Sequence, residues 1–301
     1  MIRAAALAVI MLVAGHGAGA SQRRVAFTFD DIPGVHSGGC QALPDLNRKL
    51  VKAIRKNALP ALGLVNGTRR CGVEWLAANY SIWLDAGLEL GNHTRFHRDF
   101  NKTPLQEFQE DTLAVEDVLR PLVEKRSGRL RYFRYPYLRS GTELPKKRAF
   151  EKFLRDHGYV NAPVTIDNDE YLYAAAYRRA MERGDTADAK RVADDYIRYM
   201  DSVFAFYEKL SRETLGYELP QILLLHDNLL NADHLDHLVA MVRGRGYKIV
   251  TTEEALRDPA YARQDAYVGQ RGLSWLHRWA LDAGKPAPDQ PVAAQWLNVR
   301  D

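Results

Sequence analysis

Cysteine is nearly absent from this chain: Cys40 and Cys71 are the only two among 301 residues. An even pair in a chain with an export signal (below) fits one disulfide, and a chain of this length buries a sizeable core without further staples. Also missing are a Lys/Arg block, an aromatic-basic motif, an internal repeat and a low-complexity tract. The formal charge of +4 is the small difference between 42 basic and 38 acidic residues spread along the sequence, so nothing indicates a nucleic-acid partner. The apolar run Ala4 to Ala14 is too short to span a bilayer. What remains is ordinary globular composition, 46 % hydrophobic and 27 % charged.

The N-terminus reads as an address. Met1-Ile2-Arg3 is a short basic start, Ala4 to Ala14 has the length of a signal-peptide core, and Ala18-Gly19-Ala20 supplies a small-x-small cleavage pattern. The expectation is a signal peptide over 1–20, a mature chain from Ser21 and a periplasmic or extracellular location. No Cys follows the cut, so neither a lipid anchor nor stable membrane insertion is expected after cleavage. Cys40 and Cys71 lie in Gly-flanked loops after the first and second strands, where a bridge would tie neighbouring loops at one rim.

Short β-rich runs alternate with helical patterns, which argues for parallel α/β units. The strands are expected near 24–29, 61–66, 88–93, 131–136, 159–165, 221–226 and 247–251. The helices between them are expected near 43–57, 73–86, 104–125, 146–157 and 232–244. Thr103-Pro104-Leu105-Gln106 reads as an N-cap Thr, Pro at the first helical position and a capping-box Gln, and Thr251-Thr252-Glu253-Glu254 opens a short helix the same way. Residues 171–215 are helical with no strand between, an inserted hairpin within a domain spanning 21–259. The tail, 260–301, carries Trp275 and Trp279 four apart and a late Trp296, a spacing that favours a docking face over a sugar platform.

The polar groups follow the strands. Val25-Ala26-Phe27-Thr28-Phe29 ends in Asp30-Asp31, and two adjacent acids share one site only where the chain leaves the sheet. Barrel and open α/β enzymes keep their chemistry at such strand ends. His93-Thr94-Arg95-Phe96-His97 ends another strand, with two imidazoles on one face if the chain turns helical there. With a carboxylate from a second strand they would form a two-His-one-carboxylate metal site, which by itself serves zinc and iron alike. Arg134, in Arg131-Tyr132-Phe133-Arg134-Tyr135-Pro136-Tyr137, needs an acidic partner if buried, and Asp30 suits. Val164-Thr165-Ile166 is followed by Asp167, Asp169 and Glu170, and Gln221–Leu225 by His226, a residue type suited to protonating a leaving group near neutral pH. Each group alone has a plainer reading, a helix cap or a strand-end His bonded to backbone.

Taken together and in order, these motifs resemble the polysaccharide deacetylase family, metal-dependent de-N- or de-O-acetylases of chitin-like and peptidoglycan-like glycans. The resemblance runs from about residue 24 to 251 and rests on Thr28-Phe29-Asp30-Asp31, His93-Thr94-x-x-His97, Arg134-Tyr135-Pro136-Tyr137 and Leu224-Leu225-His226. It implies a distorted (β/α) barrel of about seven parallel strands and a zinc ion, or another divalent metal such as Co2+, on Asp31, His93 and His97. It further implies Asp30 as general base with Arg134 as its charge partner, the Tyr137 amide as oxyanion donor and His226 as general acid. Asp167 would orient His226, with Asp169 a rival, because Glu170 and Tyr171 stand where the family's fourth motif usually ends in Asp-Trp. Leu224 would line the acyl pocket, and Tyr171 and Tyr135 would meet the substrate. Tyr135 stands where Pro is common, and no Gly follows Tyr137 directly.

The reading is an exported zinc-dependent hydrolase that removes acetyl groups from an N-acetylated glycan. One rival keeps the metal hydrolysis but takes a non-glycan amide or an O-acetyl ester. A second is an inactive glycan-binding module, for which the intact set of ligands, base and acid would have no use.

Overall fold

The computed structural model describes residues 22–34, 39–67 and 71–298; the expected signal peptide lies outside them. Seven parallel strands form one curled sheet flanked by helices, a distorted (β/α) barrel. They are β1 (Arg24–Ile32), β2 (Leu62–Val65), β3 (Glu89–Asn92), β4 (Tyr132–Phe133), β5 (Val160–Asn161), β6 (Gln221–His226) and β7 (Lys248–Ile249). The spatial order is β5-β4-β3-β2-β1-β6, with β7 also pairing to β1. β1 lies between β2 and β6 and is buried almost throughout, as expected of a parallel strand covered on both faces.

The expected fourth and fifth strands are much shorter than the sequence pattern suggests. Pro136 offers no N–H to a ladder, and the chain turns into a 3-10 turn, Pro136–Leu138. The apolar run after Tyr159 divides its pairing. Val160 and Asn161 match Tyr132 and Phe133 of β4, whereas Ile166 bridges to Leu223 of β6. That single bridge, with Thr165 N–H donating to the Ile222 carbonyl at 3.0 Å, joins the two edges of the sheet.

Around the sheet lie α1 (Leu43–Lys56), α2 (Val73–Asp85), α3 (Leu105–Glu124), α4 (Leu144–Asp156), α5 (Glu170–Glu182), α6 (Thr186–Leu215), α7 (Leu229–Gly244), α8 (Thr252–Leu256) and α9 (Trp275–Asp282). In α1 the buried positions Leu43, Asn47, Leu50, Val51 and Ile54 follow helical spacing. The capping box expected before α3 does not form: Pro104 is the N-cap, Thr103 Oγ1 donates to the Asp99 carbonyl, and Gln106 reaches Glu110. At α8 Thr251 does cap, accepting from the Glu254 N–H. α5 and α6 run back to back, with Tyr173 stacked on Tyr199 at 5.1 Å. In α9 Trp275 and Trp279 are buried, so both rings pack inward.

Cys40 and Cys71 are joined in a disulfide that links the loops after β1 and β2. Its partners are 31 residues apart, so on loop entropy alone it stabilises the fold by about 3–4 kcal/mol. The double variant Cys40→Ser/Cys71→Ser is expected to lose that amount in a urea melt, with an unchanged circular-dichroism spectrum at low denaturant.

Candidate active site

The ends of β1, β3, β4 and β6 converge on a cavity of about 760 Å³ lined by Asp30, Asp31, His93, His97, Leu224 and His226, among others. Several residues lining or beside it hold left-handed backbone, at φ of 63° for Asp31, 63° for Thr94 beside it, 50° for His97, 58° for Tyr137 and 54° for Leu138. Non-glycine residues adopt this region only when their surroundings enforce it, and such residues cluster at functional sites. The chain does not leave the sheet there: Asp31 lies inside β1, where the register against β2 shifts between Phe29 and Ile32, and its left-handed turn is what lets two successive carboxylates face one space.

Asp31, His93 and His97 each present a donor atom, and the three atoms lie within 4.8 Å of one another. Asp31 Oδ1 is 3.4 Å from His97 Nε2 and 3.9 Å from His93 Nε2. Two ligands of a tetrahedral zinc at ~2.0–2.1 Å would be about 3.3 Å apart, so the set fits a cation of that size. His93 Nδ1 donates to the Arg134 carbonyl at 2.9 Å, which leaves Nε2 as the coordinating lone pair. Asn66 Nδ2 donates to Asp31 Oδ1 at 2.6 Å, and Asn66 is itself held through its carbonyl by Tyr80. The segment bearing the two imidazoles is not helical, so the condition under which helical spacing would pair them is not met. Asp111 of α3 pins it, accepting from Arg95 N–H through its carbonyl and from Phe96 N–H through its carboxylate.

Asp30 faces the other way round the same space. Arg134, fully buried, donates from Nη1 to Asp30 Oδ1 at 2.5 Å and to Thr28 Oγ1 at 2.8 Å, while its Nε bonds the Ala162 carbonyl. Burial pulls the guanidinium below its ordinary range, and Asp30 is the main charge opposing this. The second Asp30 oxygen lies 3.5 Å from His93 Nε2. Asp30 and His226 are register partners of β1 and β6.

His226 does not bond to Asp167. Its Nδ1 donates to Glu170 Oε2 at 2.8 Å, and Glu170 is fully buried. Glu170 Oε1 also accepts from Asn231 Nδ2 at 2.6 Å and from Asn228. Burial alone would push His226 down; the hydrogen bond and charge of Glu170, helped by Asp31 and Asp30, outweigh it and raise the imidazole to about 9. Asp167 Oδ1 turns back to the Asn168 N–H instead, and burial raises its carboxyl to about 6. Asp169 accepts from Ala293 N–H and donates its own N–H to Tyr199. Asp227, buried beside the site, is pushed up to about 8 by burial and by Asp31.

Tyr137 and Tyr171 both line the cavity about half exposed, with the Tyr137 ring 4.4 Å from that of His97. Leu224 lines it as expected. Tyr135 does not meet the pocket; it is buried among Phe100, Phe133 and Phe150. Strand alternation places Tyr135 with Phe133 and opposite Arg134, a signal present in the sequence. Sequence reasoning named Thr28 in the first motif without its part in holding Arg134, and it missed Asn66 and the tail residues Arg271, Gly272 and Gln290, of which the tail residues line the cavity.

A family model described as polysaccharide deacetylase matches residues 17–161. Among solved structures, a mutant of BA3943, a CE4 family pseudoenzyme from Bacillus anthracis, is 17 % identical with a TM-score of 0.51, over 80 % of this chain and 69 % of that one. The chitin deacetylase from Colletotrichum lindemuthianum is 21 % identical with a TM-score of 0.50, over 79 % of this chain and 90 % of that one. These likenesses concern the fold. No curated protein matches the chain.

Proposed function

Taking as premise that this chain belongs to the polysaccharide deacetylase family, we propose that it is an exported, divalent-metal-dependent hydrolase that removes acetyl groups from an N-acetylated glycan. The observation that carries the reading is one cavity holding a metal-donor triad, a carboxylate fixed by a buried arginine and an imidazole fixed by a buried glutamate. A glycan-binding module has no use for that combination.

Asp31, His93 and His97 would hold the metal; the set by itself serves zinc or iron, and the family resemblance favours zinc. When bound, such a cation polarises a carbonyl and lowers the pKa of water. Asp30, held by the Arg134 guanidinium, is placed to take the proton from the attacking water. His226, kept protonated by Glu170, is placed to give its proton to the departing amine, so base and acid serve one pocket from neighbouring strands. In the assignment made from sequence, Asp167 oriented His226; the hydrogen bond to Glu170 gives that part to Glu170. The amide of Tyr137, on its left-handed turn, would join in stabilising the oxyanion, and Leu224 would pack on the acyl methyl.

Acetate release from chitooligosaccharides, before and after chelation and with zinc restored, tests the reading. Loss on chelation and recovery with zinc is expected. Bound zinc with no acetate from any acetylated glycan would shift the reading to a different amide or ester, or to a binding module. His97→Ala is expected to lower metal content after dialysis at least tenfold, as read by elemental analysis.

A further inference from the structure

Two walls of the cavity come from outside the strand-end loops. One is α5, which contributes Tyr171, Ala174, Ala175 and Arg178; the other is the tail, which contributes Arg271, Gly272 and Gln290. From these walls we infer that the site takes short acetylated saccharides of one to about three sugar units, meeting a longer glycan only at its end. The inference rests on the deacetylase reading and narrows its substrate.

The volume is that of a small-molecule site, about 760 Å³ within the ~300–1,000 Å³ that buries most of a small ligand. A polymer bound in mid-chain must instead run out of the site in both directions. It could do so if the walls were movable flaps, but both are packed into the fold. α5 is seated by Tyr173, Ala180 and the fully buried Glu170, and Tyr177 donates to Asp233 of α7.

The tail is held by buried charge. Arg278, 1 % exposed, donates to Asp265 at 2.6 Å, to Ser140 Oγ at 2.8 Å and to the Leu138 carbonyl. Lys147, equally buried, pairs with the same Asp265 at 2.6 Å and donates to the Tyr267 carbonyl at 2.8 Å. Asn101 donates to the Gly269 carbonyl, and Tyr207 to Gln290. At Gly272 the tail lies so close to the Tyr137 carbonyl that a Cβ would overlap it. Swinging the tail aside would take Asp265 from the buried Lys147 and part Arg278 from Ser140 and the Leu138 carbonyl, leaving a buried cation without its carboxylate.

A length series is the test: N-acetylglucosamine, its dimer through hexamer, and soluble glycol chitin, each with the zinc-loaded protein and acetate as readout. The expected result is kcat/KM that stops rising by the trimer, changes less than twofold to the hexamer, and falls at least tenfold per acetyl group on the polymer. A rise of tenfold or more from trimer to hexamer, or polymer deacetylated as fast as the trimer, would overturn the inference and leave the deacetylase reading standing. Acetate from no member of the series would overturn both. Arg271→Ala, which lowers the tail wall, is expected to raise the hexamer-to-trimer ratio of kcat/KM at least threefold; an unchanged ratio would show that the wall does not set length.

Discussion

Asp30→Asn is expected to lower turnover on an acetylated glycan by about 10²–10⁴-fold, the usual contribution of a positioned base, while the bound metal stays. The asparagine keeps the shape of the side chain but cannot accept a proton from water. It also leaves Arg134 as a fully buried cation without its carboxylate, and breaking such a pair costs about 3–5 kcal/mol. A fall in activity could therefore be mistaken for a fall in stability. Asp30→Asn/Arg134→Met separates the two, because removing both charges relieves the unpaired cation. The double variant should recover much of the lost melting temperature and none of the lost turnover. Acetate release, elemental analysis and thermal melts of the three proteins decide it; a single variant within tenfold of the parent would remove Asp30 as the base.

Glu170→Gln is expected to lower turnover about tenfold near pH 8, where a limb moved from about 9 to about 7 leaves roughly a tenth of the imidazole protonated. The carboxylate accepts the Nδ1 proton of His226 and holds the imidazole up at about 9. A glutamine keeps an oxygen for Asn228 and Asn231 but turns an NH2 towards His226, which favours the neutral ring. Burial then pulls the imidazole down with less to oppose it. A general acid must be protonated to act, so the basic limb of the kcat profile moves towards acid by about two pH units, from a parent limb near 9. Stability carries the same sign. The folded pKa lies above the ordinary ~6.5, so the contribution of His226 is full below that value and fades as pH rises through about 9. The gap in melting temperature between parent and variant should accordingly narrow from pH 6 to pH 9. A basic limb that does not move would show that another group is the acid.

How much of this was legible in the sequence depended on whether the determining interactions were local. Asp30-Asp31, His93, His97, Arg134 and His226 each follow a recognisable apolar run, so their gathering at strand ends could be read from strand periodicity and order. The partner of His226 could not. Asp167, Asp169 and Glu170 are three acids within four residues, and which one meets the imidazole depends on how the turn into α5 is wound. Asp167 folds back onto its own backbone, and Glu170 is carried inward on the first turn of the helix. The capping box before α3 failed because the helix begins one residue later than expected, with Pro104 and not Thr103 at the N-cap. The tail wall was invisible for another reason: Arg278 is a long charged residue that ordinarily signals surface, and only its three-way capture by Asp265, Ser140 and Leu138 makes it interior.

The place of β1 in the sheet also governs how the molecule must assemble. Among the described residues the first strand lies inside the sheet, and its neighbour β6 comes late, with Thr28 reaching a carbonyl 195 positions away. Ladders closed over such separations form slowly, and until β6 arrives β1 offers a bare apolar edge to any other strand. Base and acid are register partners across this late rung. A partly made chain can therefore carry the whole metal triad and still have no catalytic pair, and it spends that interval in its most aggregation-prone state.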